Sequence, residues 1–429
     1  MEPKKSVISR TRSANDTQSS GYNRKGTQIE EGKLSYEWAL KSMKIITRIM
    51  RKESGKKPLS GLKVAFCLHI TKETSVLVMA AKKLGAKVFL CSANPLSVQI
   101  DILEFLKSND ITIFANKDQS EKEYLENISR TVECSPDLIV DDGSEMHILA
   151  HKKKLKTVIG GTEETTSGIN RLVVLDDNKS LLYPVIGVNN AYTKYLFDNR
   201  YGTGQSTVDG ILRTTSIFIT GKNFVVCGYG WVGKGVSSCL RGLGAKVTVT
   251  EVDPIKALEA YMDGFNVSTI KDVAGIGDFF ITCTGQTSVI RQEHIDQMKD
   301  GVFIANAGHF DVEIDIDYLH TKDKCPKKVR PYVQSFNLGG KKVYLVSYGR
   351  VINLVGAEGH PPEVMALSFA NQLLSIIYLA KNYKKMENRI YPVPSAIDNK
   401  IAEYALDSFG VVIDKLTREQ IAYHKKSNF

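Results

Sequence analysis

The sequence has few of the features that mark secreted, membrane or zinc-binding proteins. Its 429 residues include only seven cysteines, none in a CxxC pair, so we expect neither a structural disulfide nor a zinc site. The apolar runs fall short of a bilayer span, and the first residues lack the apolar core of a signal peptide. These absences predict a cytoplasmic protein with free thiols, no metal and no membrane contact.

The positive charge is also not concentrated on one segment. The net charge is +10, but Lys and Arg are scattered among acidic residues without interleaved aromatics, which argues against a nucleic-acid partner. Residues 1–28 are polar and predict a disordered leader. The run HKKKLK at 151–156 is most simply a solvated helix end.

One stretch, residues 223–251, has every part of a dinucleotide-binding unit at the required spacing. An apolar strand pattern leads into Gly228, Gly230 and Gly233, and an apolar helix and a second strand follow. These glycines permit a tight turn, close approach of a pyrophosphate and close helix packing, while the helix N-terminus offers free N–H groups. Glu251 can accept hydrogen bonds from both ribose hydroxyls and would repel a 2′-phosphate, so NAD is favoured over NADP.

The rest of the chain alternates between strand and helix patterns, which predicts parallel sheets covered by helices. An amphipathic pattern over Glu30–Lys52 predicts one helix or two short ones. The strand patterns before the dinucleotide unit are Leu62–His69, Lys87–Ser92, Ile111–Ala115, Leu138–Asp141 and Lys156–Ile159. Those after its glycine motif are Val247–Thr250, Phe279–Thr282, Val302–Asn306 and Val343–Val346.

We therefore predict an α/β protein with two Rossmann-like, doubly wound parallel-sheet domains and a short C-terminal helical tail. The helical pattern after Pro361 is expected to pack back on the first domain, which makes that domain discontinuous. The predicted limits are 1–28 for the leader, 29–200 with 359–412 for a substrate-binding domain, 201–358 for an NAD-binding domain and 413–429 for the tail. The ligands are expected in a cleft between the domains, beyond the carboxyl ends of the strands.

Seven motifs in unbroken order resemble the S-adenosylhomocysteine hydrolase family, most of all its shorter archaeal or thermophilic-type branch. They are HITKET (69–74), DDGSE (141–145), GTEETTSG (161–168), TKYLFDNRYGTGQS (193–206), GYGWVGKG (228–235), NAGHFDVEID (306–315) and GRVINLVGAEGHP (349–361). The resemblance implies reversible hydrolysis of S-adenosylhomocysteine to adenosine and homocysteine with a tightly held NAD. It also implies a homotetramer whose domains close on the substrate.

The resemblance further implies a redox route to the thioether bond. Oxidation of the ribose 3′-hydroxyl acidifies the C4′ proton and opens an elimination, after which water adds and the 3′ carbon is reduced again. Lys194 and Asp198 are expected at the 3′-hydroxyl, and Glu164 on the ribose hydroxyls. Asp142 is expected at the C4′ proton and His69 at the departing thiolate and the incoming water. The division of labour between these last two is left open.

The same motifs imply the residues that bind substrate and cofactor. Glu73 would accept a hydrogen bond from the adenine 6-amino group, whereas hypoxanthine would leave acceptors unpaired, so the adenosyl substrate is preferred. The implied substrate-binding residues are Thr71, Glu73, His309, His360, Met365 and Phe369. The implied NAD-binding residues are Thr165, Thr166, Ser167, Asn199, Gly228, Tyr229, Gly230, Trp231, Val232, Gly233, Glu251, Lys256, Ala307, Gly308, His309, Asn353 and His360.

Two alternatives stay open on the sequence. One is an S-inosyl-homocysteine hydrolase or another nucleoside-modifying paralogue, against which Glu73 argues. The other is a non-catalytic regulator that binds NAD and a nucleotide. The presence of all the implied catalytic residues argues against the regulator: His69, Asp142, Glu164, Lys194 and Asp198.

Overall fold

Two β-sheets organise the part of the chain that the computed structural model describes, residues 15–424, with side chains described from 25 to 423. The first sheet has seven strands, all parallel, in the order β15-β6-β5-β4-β1-β2-β3. These strands are β1 (Lys63–Cys67), β2 (Lys87–Cys91), β3 (Thr112–Phe114), β4 (Leu138–Asp141), β5 (Gly160–Glu163), β6 (Val185–Gly187) and β15 (Ile390–Pro392).

The second sheet has eight strands in the order β12-β13-β14-β11-β10-β7-β8-β9, and only β13 runs against the others. These strands are β7 (Asn223–Cys227), β8 (Lys246–Thr250), β9 (Asn266–Val267), β10 (Phe279–Thr282), β11 (Val302–Asn306), β12 (Lys327–Arg330), β13 (Val333–Leu338) and β14 (Lys341–Val346). The sheet was predicted to be parallel, but the turn at Gly339 and Gly340, both with positive φ, reverses the chain and pairs β13 with β14 as a hairpin.

The helices fall into two sets by their position in the sequence. Those before β7 and after β14 are α1 (Asn15–Ser42), α2 (Lys44–Glu53), α3 (Lys72–Lys83), α4 (Ile100–Ser108), α5 (Glu121–Glu133), α6 (Glu145–Lys152), α7 (Thr166–Asp177), α8 (Tyr192–Tyr195), α9 (Thr203–Thr215), α15 (Ile352–Val355), α16 (Pro362–Asn382), α17 (Ser395–Ser408) and α18 (Arg418–His424). Those between are α10 (Trp231–Gly242), α11 (Pro254–Met262), α12 (Ile270–Val273), α13 (Gln292–Gln297) and α14 (Ile316–Lys322).

Apolar layers cover both faces of the first sheet. In β1, Val64 and Phe66 join the core formed with α1 to α4, α16 and α17, whereas Ala65 and Cys67 join the core formed with α5 to α7. Strands that are covered on both faces read as unbroken apolar runs rather than alternating patterns. This is why most of the strand predictions agree with the structure.

One helical segment of the described residues, Pro362–Lys385, is long and apolar enough to cross a membrane by length and composition. The expectation that every apolar run falls short of this length was therefore wrong. However, 72% of its most apolar window is buried inside the protein. Leu373, Ile376 and Leu379 are fully buried, and each side chain of this size contributes about 1.5–3 kcal/mol on burial. The segment thus serves as a core helix over the first sheet.

The chain returns to the first sheet after completing the second. β15 pairs with β6 at the edge of the first sheet, and α16 and α17 pack against α2. The predicted α/β class, with two Rossmann-like sheets, a discontinuous first domain and a helical tail, is confirmed. The domain limits themselves stay predictions.

Two local predictions were wrong. The fifth strand was expected at Lys156–Ile159 but is β5, Gly160–Glu163, where an added Cβ on Gly161 would lie 2.3 Å from the His147 ring. The sequence pattern did not reveal this strand because its two glycines have low strand propensity. Glycine is needed there because a side chain would collide with packed neighbours. Of the predicted disordered leader, residues 1–14 lie outside the described residues, whereas residues 15–28 belong to α1. The amphipathic pattern that follows forms two helices, with a break at Met43.

Candidate active site

The candidate active site begins at the carboxyl ends of three neighbouring parallel strands. β1, β4 and β5 are adjacent in the first sheet, and His69, Asp142 and Glu164 come directly after the strands or one residue later. Parallel strands present their carboxyl ends at the same edge of a sheet. The strand order therefore assembles three predicted catalytic residues that are distant in sequence.

A carboxylate between two histidines forms one half of the site. Asp142 Oδ2 lies 3.3 Å from His69 Nε2, and Asp142 Oδ1 lies 3.7 Å from His309 Nδ1. His309 follows β11 of the second sheet, so this contact crosses the cleft between the sheets. Burial would raise the pKa of Asp142, but the hydrogen bond with His69 and the charges of His309 and Lys194 lower it to about 2. Asp142 is therefore ionised at neutral pH, and burial lowers the pKa of His309.

A second acid, at a strand end where the sequence predicts polar ligand-binding residues but assigns it no role, lies behind each of two site carboxylates. Asp141 accepts a hydrogen bond from the His147 N–H at 2.8 Å, and Glu163 accepts from the N–H groups of Gly143 and Thr165, each at 2.9 Å. These bonds fix the loops that carry Asp142 and the start of α7. The signal was present as the doublets DD and EE, because consecutive residues of a strand point to opposite sides.

A buried lysine–aspartate pair forms the other half of the site. Lys194 Nζ lies 3.4 Å from an oxygen of Asp198, with side-chain exposures of 4% and 5%. The same ammonium donates to the side-chain oxygens of Asn199, at 2.8 Å, and Asn189, at 3.3 Å. Asp198 begins a π-helical turn that ends at Gly202, and such turns occur often at functional sites.

Asp198 is also held by two residues that follow the second sheet in sequence. His360 Nδ1 lies 3.3 Å from one carboxylate oxygen, and the Ser368 hydroxyl of α16 donates to the other. Burial would raise the pKa of Asp198, but Lys194, His360 and Ser368 together hold it well below its usual range. The pair thus offers a fixed negative charge beside a fixed ammonium donor.

The charged residues of both halves of the site shift the pKa of Glu164. Gln372 of α16 donates to Oε2 at 2.9 Å, whereas Oε1 is buried and accepts no hydrogen bond from the described residues. Burial, together with Asp142 and Asp198, raises the pKa of Glu164 to about 8, although Lys194 opposes this. An unpaired buried polar atom costs about 1–3 kcal/mol. Oε1 is therefore suited to a hydroxyl donor from a ligand.

The predicted purine-binding residues lie on two helices that share one core. Thr71 caps the N-terminus of α3, and Glu73, 1% exposed, lies in its first turn. Met365 and Phe369 lie on α16, where Phe369 is part of the apolar core and Met365 packs against it. His360 precedes α16 and contacts Thr203 Oγ1 at 3.2 Å. These placements fit an apolar slot with a carboxyl at one end.

The glycine loop of the second sheet has the shape that a dinucleotide requires. Gly228 has φ +105°, and a Cβ added to Gly233 would lie 2.0 Å from the Gly228 carbonyl oxygen. Gly230 has nothing within 4 Å of its Cβ position, so its surroundings leave room for a ligand. A side chain at the first or third glycine would disturb the loop. Because the loop has no side chains at these positions, the N-terminus of α10 stays open to a pyrophosphate.

Glu251 at the end of β8 is oriented by the same loop. One oxygen accepts from the Tyr229 N–H at 2.7 Å, and the other accepts from the Val252 N–H at 2.7 Å. The second oxygen also accepts from the Asp253 N–H at 3.1 Å, so the oxygen that accepts from Tyr229 keeps capacity for a ribose hydroxyl. The Tyr229 hydroxyl donates a hydrogen bond to Asp263, so the Tyr229 group that contacts Glu251 is its backbone N–H. The fit to NAD therefore rests on observed loop geometry.

Predicted NAD contacts on the substrate side meet around Asn189, which sequence reasoning missed. Asn189 Nδ2 donates to Thr166 Oγ1 at 3.0 Å, and Asn199 Nδ2 donates to Asn189 Oδ1 at 3.2 Å. Within the described part of the chain, Ser167 Oγ and Asn353 Oδ1 are buried without a hydrogen-bond partner. Such unpaired atoms point to a polar ligand. Thr165, also predicted here, caps α7.

The other predicted NAD contacts surround the loops of the second sheet. Trp231 begins α10 and lies 5.3 Å from the Tyr195 ring, Lys256 pairs with Asp253 at 3.4 Å, and Val232, Ala307 and Gly308 complete the set. Asn306 and Glu313 were missed. Asn306 donates to the carbonyls of Gly308, Phe310 and Gly349, and Glu313 accepts from Thr284 and Gly285. They shape the loop that presents His309.

In the described part of the chain, two groups of side chains have ligand atoms within 4.8 Å of one another and could hold a metal ion. They are His69 with Asp142 and His309, and Asp141 with His147 and Glu163. In the second group, His147 is bonded to Tyr183 and the Thr162 carbonyl, which indicates a structural role. The expectation of no metal stays a prediction. The seven cysteines are free.

The chain is similar to known proteins of one enzyme family. Residues 24–158 match the model of the S-adenosyl-L-homocysteine hydrolase family, and residues 199–359 match that of its NAD binding domain. The adenosylhomocysteinase of Saccharolobus solfataricus is 50% identical over 92% of this chain and 95% of its own, and that of Sulfurisphaera tokodaii is 49% identical over 92% and 96%. The S-inosyl-L-homocysteine hydrolase of Methanocaldococcus jannaschii is 45% identical over 92% and 96%.

Proposed function

The chain belongs to the S-adenosyl-L-homocysteine hydrolase family, and we propose how its cleft residues share the work of that hydrolysis. It is an NAD-dependent enzyme that hydrolyses S-adenosyl-L-homocysteine to adenosine and L-homocysteine. The observation that carries the division of roles is the meeting of two buried groups in one cleft: His69, Asp142 and His309, and Lys194, Asp198 and His360.

Lys194 and Asp198 are proposed to handle the proton of the ribose 3′-hydroxyl. NAD, when bound, supplies reversible oxidation and reduction at the 3′ carbon. Lys194 Nζ is held in the cleft by Asp198, Asn189 and Asn199, and a ribose hydroxyl would replace one of these partners. In its neutral form, an amine held in this way can accept the hydroxyl proton without a large rearrangement.

Glu164 is proposed to orient the ribose. Its Oε1 is buried and unpaired within the described residues, and a sugar hydroxyl would satisfy it. Donation of hydrogen bonds to this carboxyl favours its ionised form and offsets the effect of burial on its pKa. Gln372 keeps the side chain in place from α16.

Asp142 and His69 are proposed to act at C4′ and at the sulfur. Asp142 is ionised and can accept a carbon-bound proton once an adjacent ketone has acidified it. His69 Nδ1 lies 2.6 Å from Ser97 Oγ, which fixes the ring and leaves Nε2 toward Asp142. A proton on His69 can pass to the departing thiolate, and the ring can then take a proton from the attacking water. His309 closes this side of the cleft from the second sheet.

The proposed roles can be tested on the protein charged with NAD. S-adenosylhomocysteine that carries deuterium at C3′ should transfer it to the nicotinamide and recover it during turnover, with release of homocysteine thiol. Mass spectrometry of the cofactor at single turnover measures the transfer. Thiol release without any passage of the label through the cofactor would contradict the redox route, and absence of both would favour a non-catalytic binding protein.

A homotetramer is also proposed, supported by exposed apolar surface on α11 and near it. Five apolar side chains there are 56% to 98% exposed: Val252, Ile255, Leu258, Tyr261 and Met262. Contiguous apolar patches of this kind are rare on monomers and mark association surfaces. The tail carries similar side chains, including Ile413 and Leu416.

Replacing Ile255 and Leu258 together with glutamate should split the tetramer, because like charges would face an apolar partner surface. Analytical ultracentrifugation of both proteins measures the change. Val174→Glu, on α7 and 59% exposed, is the matched control and should leave the mass unchanged. A monomeric wild type, or a double variant that stays tetrameric, would contradict the proposed interface.

A cytoplasmic location is proposed as well. Its support is the set of seven free cysteines, since reduced thiols are typical of reducing compartments. Fractionation of the source cells, with detection of this chain, tests it.

A further inference from the structure

Lys72 lies between two carboxylates at the purine end of the proposed site. Its ammonium is 3.3 Å from Glu73 Oε1 and 3.0 Å from Glu358 Oε2. The side chains of Lys72 and Glu73 are only 14% and 2% exposed, whereas Glu358 is 57% exposed. A charge pair in this setting is little screened by water. The ammonium therefore acts mainly on the buried partner.

The position of Lys72 is fixed from outside the purine slot. Glu358 also accepts from Arg213 Nη1 at 3.1 Å, and Arg213 is held in turn by Asp209 at 2.8 Å. Glu358 thus joins α3 to α9. Glu73 forms no other ion pair with a described residue, so the charge that stabilises its ionised form comes from Lys72.

The charge state of Glu73 decides what it can recognise at position 6 of a purine. An ionised carboxyl only accepts hydrogen bonds, which suits a 6-amino group and repels a 6-oxo group. A neutral carboxyl also donates through its O–H and can satisfy a 6-oxo group. Burial raises the pKa of Glu73, and Lys72 opposes this. Without the lysine the neutral form would become more common.

We propose that Lys72 is a specificity-determining residue, because its ammonium holds the buried Glu73 carboxyl as an acceptor for a 6-amino purine and against a 6-oxo purine. The inference rests on the proposed placement of Glu73 at the base. Lys72 does not contact the base itself, but it determines the preference for the adenosyl form of the substrate over the inosyl form. The ion pairs of Glu358 with Lys72 and with Arg213 hold the Lys72 ammonium within reach of Glu73.

The test compares kcat/KM for S-adenosylhomocysteine and S-inosylhomocysteine on the NAD-loaded enzyme. Lys72→Met should lower the adenosyl-to-inosyl ratio by about tenfold, since hydrogen-bond mismatch of this kind is worth about this much. Lys72→Arg keeps the charge and should stay within about twofold of the wild type. Lys72→Gln is the second neutral variant, and equilibrium binding of adenosine and inosine supplies a readout independent of turnover.

A double-mutant cycle separates charge from packing. In a Glu73→Gln background the side chain no longer ionises, so Lys72→Met should leave the ratio unchanged. Lys107→Met is the matched control, because Lys107 also pairs with a mostly buried glutamate, Glu104, at 3.1 Å. An unaltered ratio in both neutral variants, or an equal change in the Glu73→Gln background, would overturn the proposal. Wild-type enzyme that hydrolyses neither substrate would instead overturn the proposed roles of the site.

Discussion

Lys194→Ala is expected to lower cofactor reduction in a single turnover by about a thousandfold or more, the upper part of the range for loss of a proton-transferring group. Lys194 Nζ is the buried amine in contact with Asp198, Asn189 and Asn199. In its neutral form it can accept the 3′-hydroxyl proton, so without it that hydroxyl has no positioned proton acceptor. Stopped-flow absorbance of reduced nicotinamide after mixing with adenosine or with S-adenosylhomocysteine measures the effect.

The same substitution should also weaken the fold, because the Asp198 carboxylate then keeps, among the described residues, only His360 and Ser368 as partners. Breaking a buried ion pair from one side costs about 3–5 kcal/mol. NAD content and thermal unfolding must therefore be measured beside the kinetics. Lys122→Ala removes an exposed pair with Glu126 and should change neither rate nor stability appreciably. A folded, NAD-loaded Lys194→Ala protein that still reduces its cofactor at the wild-type rate would refute the assignment.

Asp142→Asn is expected to separate the redox step from the elimination. Asparagine is nearly isosteric with aspartate but accepts no proton, so release of homocysteine should fall by about a hundredfold to ten-thousandfold. Oxidation at the 3′ carbon depends on Lys194 and should persist. The reduced cofactor should therefore accumulate in the variant, where the wild type shows it only briefly.

Three measurements on this variant distinguish the steps: reduced-cofactor absorbance, thiol release, and exchange of the C4′ proton with deuterated solvent. Loss of exchange with retained cofactor reduction supports Asp142 as the acceptor at C4′. If exchange continues at the wild-type rate while thiol release stops, the role passes to His69, and Asp142 acts only on leaving-group chemistry. Asp110→Asn, at an exposed position of a turn, is the control and should behave as wild type.

The sequence predicted the site better where a residue ends a strand than where it lies on a distant helix. His69, Asp142 and Glu164 follow strands whose apolar runs are plain, because both faces of the sheet are covered. Gln372, in contrast, meets Glu164 across 208 residues of sequence. Nothing local in an apolar helix shows which of its polar residues faces a ligand.

The acid doublets show a second limit of the sequence. At both DD and EE, one acid faces the cleft and its neighbour binds backbone N–H groups behind it. The two acids of each doublet are of the same residue type, so only the resemblance to the family identified Asp142 and Glu164 as the catalytic ones. The neighbours Asp141 and Glu163 were expected at the strand ends but received no role, because their function is to hold loops, and the hydrogen bonds that do so are visible only in the structure.

The return of the chain to its first sheet has a consequence for how the enzyme is made on the ribosome. The cofactor sheet has all its strands once residue 346 has emerged, so that sheet can form during translation. The sheet begun first still lacks its edge strand β15 and the helix that supplies Ser368 and Gln372. A nascent chain therefore stays inactive until synthesis is nearly finished, and a fragment stopped at residue 358 should gain activity only when the missing segment is supplied in trans.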